Sequence, residues 1–191
     1  ISNGMPVTTE GGKVIGLSDS SSNKCMAVRE LIEDANCNVV VFAEHSKVAG
    51  MIYRYLEDNL QGVQNTIVRI ITGDTRQPTR LAYIKEFQDD TVLGKKVLIC
   101  TTGTMSESVS LTNAGLLVFA QEPSSAQQMI QCRGRVRRIG SNLVVPVVSL
   151  RSAGTVEETL AGRMDVKLQF LHDYLIKMKE QGSGLVISKG E

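Results

Sequence analysis

Four short, largely apolar runs constrain this chain more than anything else in it: Val39 to Ala43, Ile67 to Ile71, Val97 to Thr101 and Leu116 to Ala120. A strand with one face in water alternates apolar and polar residues, whereas a strand covered on both faces reads as a continuous apolar run. These runs are too short for buried helices and rich in β-branched residues, so they predict a parallel sheet clad on both sides. The stretches between them have helical spacing. One helix is expected over 23–35, capped by Asn23, with Ala27, Leu31, Ile32 and Ala35 on one face. A second runs from Glu44-His45-Ser46-Lys47 to about Leu60, with Val48, Ile52, Tyr55 and Leu56 inward and Gly62 as its stop. A third runs from Pro78 to Gln88, with Leu81, Ile84 and Phe87 facing the core.

The rest of the chain continues the alternation. Pro123 and Ser124 start a helix in which Ser124 and Gln127 have capping-box spacing. Val144 to Leu150 is a further strand, placed at an edge or a bulge by Pro146. The last helix starts at Thr155, with Glu158 three residues on, and carries Val156, Leu160, Met164, Leu168, Leu171, Leu175 and Met178 as one stripe. Strands alternating with helices give an α/β fold, a three-layer sandwich with a mainly parallel central sheet and right-handed crossovers. The expected organisation is an N-terminal arm or extension over 1–22, one domain over 23–178 and a flexible tail over 179–191.

With 191 residues and a net charge of +1, the chain has the size of one domain and no global basic field. Any polyanion must therefore be met by local patches. The absence of Trp and the 4% aromatic content argue against a base-stacking platform for single strands. Cys25, Cys37, Cys100 and Cys132 fall on separate elements with no metal-pair spacing, and read as buried, reduced thiols of an intracellular protein. No metal site is expected, since neither His45 nor His172 has a grouping of cysteines or carboxylates with ligand spacing around it. His45 reads as polar lining of a loop, and His172 as a residue on the polar side of the last helix. No apolar run approaches the ~20 residues of a membrane helix, and the first residues carry neither the basic start nor the apolar stretch of a secretory leader.

The chemistry concentrates in Gln131-Cys132-Arg133-Gly134-Arg135-Val136-Arg137-Arg138-Ile139-Gly140. Arginine is always charged and forks onto phosphate oxygens, so such a cluster with no acid inside it points to a polyphosphate or a nucleic-acid backbone. In a parallel sheet, functional loops gather at the carboxyl ends of the strands. Those ends carry Glu44 to Lys47, Thr72-Gly73-Asp74 and Thr101-Thr102. Backbone N–H groups at helix starts, with Ser, Thr and Gly around them, suit phosphate oxygens. Ser46 and Thr75 are equally well read as caps.

The spacing Gln131, Gly134, Arg135, Arg138 resembles the last signature motif of superfamily-two helicases and translocases, and Arg138-Ile139-Gly140 looks like its Swi/Snf-type branch. Further blocks resemble that family in the right order over roughly residues 23 to 178. They are the strand and helix from Val39 to Leu60, then Ile70 to Gly73 with Arg80, then Val97 to Leu111, and finally Gly154 to Glu158. The chain departs from the family pattern at Ser108, where a Gly would fall, and at Ser110, where Asn or Asp is usual. Ser124-Ser125-Ala126 stands where Trp-Asn-Pro is often found. No Gly-x-x-x-x-Gly-Lys-Ser/Thr loop and no Asp-Glu-x-His pair is present.

The resemblance therefore implies a second RecA-like lobe, with ATP and Mg2+ held mainly by a first lobe on a larger protein or another chain. It implies Arg138 as arginine finger, Arg135 on the triphosphate and Gln131 orienting the cluster. Glu107 and Ser110 fall beside the nucleotide, Glu107 reading equally as a group that couples the nucleotide and nucleic-acid sites or as an ordinary surface acid, while Arg133 and Arg137 read as solvated. Ser46, Lys47, Gly73, Arg80, Thr101 and Thr102 are the implied contacts to a nucleic-acid backbone. The function implied is an ATP-driven nucleic-acid translocase or helicase, double-stranded DNA being favoured. A strand-separating RNA or DNA helicase and a catalytically silent RecA-like binding module are the alternatives, the second drawing support from Ser108 and Ser110. An unrelated α/β domain for an anionic small molecule fits the ordered motifs least. The lobe alone is expected to fold without hydrolysing ATP. Its compartment would be the cytoplasm of a bacterium or virus-infected cell, or the nucleus of a eukaryote.

Overall fold

The computed structural model describes residues 6–8, 14–17, 22–60, 65–104, 109–136 and 144–181, with the backbone alone for 6–8, 14–17, 175 and 178–181. Two short strands, β1 (Pro6–Thr8) and β2 (Val14–Leu17), pair antiparallel. Helix α1 (Asn23–Asp34) then precedes β3 (Val39–Ala43), α2 (Ser46–Leu60), β4 (Ile67–Ile71), α3 (Gln77–Gln88) and β5 (Lys96–Thr101). The remaining elements are β6 (Leu116–Phe119), α4 (Ala126–Val136), β7 (Val147–Ser149) and α5 (Val156–Gln181). Strands β3 to β7 form one sheet in the order β4-β5-β3-β6-β7, and every neighbouring pair in it is parallel.

The apolar runs are continuous because β3 is buried at every position and sits in the middle of the sheet. Its alternate side chains feed two cores. Val39, Val41 and Ala43 join Val97, Ile99 and Val118 under Val28 and Ile32 of α1 and Ile52 and Leu56 of α2. Val40 and Phe42 join Leu98, Leu117 and Phe119 under Phe87 of α3, Met129, Cys132 and Val136 of α4, and Met164 of α5. The Phe42 and Phe119 rings stack with centroids 5.6 Å apart. The result is the expected three-layer α/β sandwich, with α1 and α2 on one face and α3, α4 and α5 on the other. Among the described residues no helix is long and apolar enough to cross a membrane.

Several local expectations are corrected. Ser22, not Asn23, caps α1: its hydroxyl accepts from the Cys25 N–H at 3.3 Å. Helix α4 begins at Ala126, so Ser124 and Gln127 form no capping box; the Ser124 N–H donates instead to Glu44 Oε1 at 3.0 Å. Leu81 is 58% exposed, whereas Phe87 is buried. Helix α3 lies towards the sheet edge formed by β4, and the side chains near its C-terminal end are the ones that reach the core. Val156 and Leu160 of α5 are likewise exposed, because the buried stripe runs through Ala161 and Met164 and they fall on its flank. Glu158 reaches back to the Gly154 N–H, and the Thr155 hydroxyl donates to Ser152 O, so the expected reciprocal box is replaced by a wider one. Strand β7 is shorter than expected, starting after Pro146, but it is an edge strand as proline requires. Gly62, the expected stop of α2, lies outside the described residues.

Candidate nucleic-acid and nucleotide site

Parallel pairing sets the carboxyl ends of β4, β5 and β3 side by side, since Ala43 stands opposite Thr101 and Ile71 opposite Cys100. The loops leaving those ends enclose a cleft of about 630 Å³. Ser46 and Lys47 line it from the first turn of α2, Gly73 from the turn after β4, and Thr101 and Thr104 from the end of β5. A helix start leaves its first N–H groups without a partner inside the helix and carries the positive end of the helix dipole. The His45 carbonyl takes the N–H groups of Val48 and Ala49, so the α2 start is closed by backbone and not by a Ser46 cap. Lys47 adds a full positive charge at the same rim. The Thr101 and Thr104 hydroxyls bond to each other, and Thr104 Oγ1 also donates to Thr101 O at 3.0 Å. A Cβ at Gly73 would meet nothing within 4 Å, so that residue leaves bare backbone beside open space. The Glu44 carboxylate also lines the cleft, with its Oε1 engaged by the Ser124 N–H, so the donors, hydroxyls and Lys47 beside it can hold phosphate oxygens, without reading bases, on the side away from that acid.

Four of the six expected nucleic-acid residues thus meet at one cleft: Ser46, Lys47, Gly73 and Thr101. Thr102 and Arg80 do not line it. Thr102 is 4% exposed and its N–H is held by Ala43 O at 3.0 Å, which ties it beneath the rim. Arg80 is half-buried on α3, with its charge felt by the Cys100 thiol. Thr75 is a turn-former, its N–H donating to Thr72 O and its hydroxyl accepting the Thr72 N–H. His45 is exposed and lines the cleft.

The arginine motif begins inside a helix. Gln131 and Arg135 lie one turn apart on α4, so they share a face. Met129, Cys132 and Val136 are buried on the other. Burial pushes the Cys132 thiol up to about 11, with the Arg135 charge pulling weakly the other way. Gln131 and Arg133 are exposed and Arg135 is half-buried. A Cβ at Gly134 would meet no atom within 4 Å, so nothing among the described residues requires a glycine there. The Leu111 N–H donates to Arg135 O at 2.7 Å, which places Ser110 one residue from the motif's helix end. Arg138 and Arg137, like Glu107, lie outside the described residues. Among the described residues no three His, Cys, Asp or Glu side chains gather as a metal cage requires.

Sequence reasoning missed the ties that hold this rim. Gln121 Oε1 accepts the His45 N–H, and Glu44 Oε1 accepts the Ser124 N–H, so the β3 and β6 ends are laced together. Lys24 Nζ donates to Ala120 O at 3.0 Å and to both Glu157 oxygens at 2.6 Å, joining α1, the β6 end and α5. Arg151 forks onto Glu122 and Asp165. The Lys24 tie had one signal: Lys24, Val28 and Ile32 have i, i+4, i+8 spacing, which puts a lysine in a buried stripe. Gln121 and Glu122 directly follow a strand, where the carboxyl-end rule already points.

The helicase conserved C-terminal domain family matches residues 23–140. The TATA-binding protein-associated factor BTAF1 of Arabidopsis thaliana is 28% identical over 155 residues, which is 81% of this chain and 7% of that protein. The chain therefore spans a small part of the length of this curated relative. Among solved structures, the C-terminal part of the Fun30 ATPase domain superposes with a TM-score of 0.63 at 20% identity, over 74% of this chain and 45% of that one. The SWI2/SNF2 ATPase core of Sulfolobus solfataricus in complex with dsDNA superposes with a TM-score of 0.60 at 25% identity, over 75% of this chain and 30% of that one.

Proposed function

The chain belongs to the helicase conserved C-terminal domain family, as a second RecA-like lobe of the Swi/Snf type, and from that premise we propose that it is one motor lobe of an ATP-driven translocase on double-stranded DNA. The observation that carries this reading is the cleft where Ser46, Lys47, Gly73 and Thr101 meet at three adjacent strand ends. Beside the Glu44 carboxylate it offers backbone N–H groups, hydroxyls and one lysine, which suit a phosphate backbone and not base edges. The double-stranded DNA reading draws support from the Arg138-Ile139-Gly140 ending and from the dsDNA in the Sulfolobus complex, while a DEAD-box helicase domain 2 bound to an RNA duplex shares the fold at a TM-score of 0.56.

The nucleotide side of this function rests on α4 and the residues just after it. Arg135 and Gln131 share one face of that helix, and Arg138 comes three residues after Arg135. We assign Arg138 as the finger towards the γ-phosphate of ATP on a first lobe, Arg135 as a second donor to the triphosphate, and Gln131 as the group orienting both. Glu107 and Ser110 are assigned to the same nucleotide edge. Charge spreads over the phosphoryl oxygens in the transition state, and fixed guanidinium donors stabilise it without reorganising. The bound nucleotide supplies the phosphoryl group and its magnesium ion. The described residues present no cage for that ion, so no step through it is assigned to this chain. A lobe with donors but no phosphate cradle folds and does not hydrolyse ATP by itself.

The test is ATP hydrolysis by the protein that carries this lobe, with duplex DNA, single-stranded DNA and RNA. Stimulation by duplex, lost on the order of 10³-fold or more in Arg138→Ala, is the expected result. Turnover unchanged in that variant would remove the finger assignment, and no turnover with any nucleic acid would leave a binding module in its place.

A further inference from the structure

Gln88, the last residue of α3, has both ends of its side-chain amide engaged by one loop. Its Nε2 donates to Ser110 O at 2.6 Å and its Oε1 accepts the Asn113 N–H at 3.0 Å. The loop answers from its own side: Asn113 Nδ2 donates to Phe87 O at 3.1 Å and to Asp90 Oδ1 at 2.8 Å. Between the two gripped residues stands Leu111, whose side chain is fully buried and whose N–H donates to Arg135 O at 2.7 Å. The loop is therefore held by α3 on one side and holds the last turn of α4 on the other. That last turn lies within the arginine motif and carries Arg135.

The other end of α3 comes after the Thr72–Thr75 turn, whose Gly73 lines the cleft. At 1.5 Å per residue a helix of this length carries a displacement about 18 Å with little loss, because its backbone bonds are internal. Resting on the motor reading above, we propose that Gln88 is a positioning residue that ties the nucleic-acid cleft to the arginines: it fixes the 110–113 loop, and through Leu111 the helix end that carries Arg135, three residues before Arg138 in the sequence. A side chain that only filled space would have no need to satisfy a carbonyl and an N–H three residues apart in one loop. The amide geometry makes Gln88 sensitive to substitution in a specific way. Gln88→Glu keeps an acceptor for the Asn113 N–H but loses the donor to Ser110 O, and sets a carboxylate against that carbonyl.

The experiment measures stimulated ATP turnover, nucleic-acid affinity and thermal midpoint in the whole protein for Gln88→Ala, Gln88→Glu, Arg135→Ala and the Gln88→Ala/Arg135→Ala pair. Misplacing a catalytic group by about 1 Å costs on the order of a hundredfold in rate, so a loss of ten- to a hundredfold in stimulated kcat is expected for both Gln88 variants. Affinity for duplex and the thermal midpoint should stay near those of the parent. In the Arg135→Ala background Gln88→Ala should add little, since residues acting through one another are not additive. Full additivity, or a kcat loss matched by a lowered thermal midpoint in both variants, would overturn the assignment and leave Gln88 a structural clamp. If Gln88→Ala does not fold, the near-isosteric Gln88→Glu carries the test alone. A parent protein without stimulated turnover would overturn the motor reading and this inference with it, whereas a stimulated parent matched by its Gln88 variants overturns this inference only.

Discussion

Lys24 shows how one buried charge can be worth more as a joint than as an attraction. Its side chain is 8% exposed, yet its ammonium meets Ala120 O and both oxygens of Glu157, which is 16% exposed. Taking two such ions from water costs several kcal/mol each, and close pairing roughly offsets it. Removing one partner strands the other, so Lys24→Met should destabilise the lobe by about 3–5 kcal/mol in urea unfolding, with Lys24→Met/Glu157→Gln recovering much of that. A loss under about 1 kcal/mol would mean that the pair is hydrated and behaves as a surface bridge. Gly134 argues in the opposite direction. It lies inside α4 with room for a side chain, and glycine in a helix interior costs about 1 kcal/mol relative to alanine. Gly134→Ala should therefore raise stability by 0.5 to 1 kcal/mol, as about that much helix propensity is regained. If the bare backbone there admits the partner lobe or the nucleotide, the same variant lowers stimulated ATPase turnover. Gains in both stability and turnover would show that this glycine serves no approach.

At the scale of elements, legibility in the sequence tracks how local the cause is. Strands β3, β5 and β6 were legible because a strand covered on both faces reads as a near-continuous apolar run, and the half-buried edge strand β4 because its β-branched residues flank the single Arg69. The cleft was legible for a related reason: parallel strands send their functional loops to one rim, so Ser46, Lys47, Gly73 and Thr101 could be picked by where they follow a strand. The features that were not legible depend on distant partners. Glu44 meets Ser124, 80 residues away, with no periodic mark, and although Lys24 shares a helical stripe with Val28 and Ile32, nothing local points to its partner Ala120, 96 residues on. Helix α3 shows the same limit within one element. Its spacing marks Leu81, Ile84 and Phe87 as one face, but the helix covers the β4 side of the sheet, where Leu81 meets solvent. The energetic consequence is a split along one stripe. Phe87→Ala should cost about 3–5 kcal/mol by leaving a cavity under the sheet, while Leu81→Gln should change stability by less than about 0.5 kcal/mol. Equal costs in thermal or urea unfolding would mean that Leu81 is covered in solution by something other than the described residues.

For the whole molecule, the controlling quantity is the near-neutral charge of +1. A strongly basic lobe would attract a polyanion from a distance wherever it lay, whereas this one has to meet it at a rim. Each phosphate neutralised releases about one counterion, so the logarithm of affinity falls with the logarithm of salt by about 0.9 per contact on duplex DNA. Lys47 is exposed at the first turn of α2 and lines the cleft, and it is the cation that the four gathered residues contribute. Lys47→Ala should therefore weaken duplex binding evenly across sequences and reduce the salt slope by about one. Ser46→Ala, which removes a hydroxyl and no charge, should weaken binding without moving the slope. The pair of variants separates charge from hydrogen bonding at the same helix start. A slope unchanged in Lys47→Ala would place the nucleic acid away from this cleft, and the strand-end reading of the lobe would have to move with it.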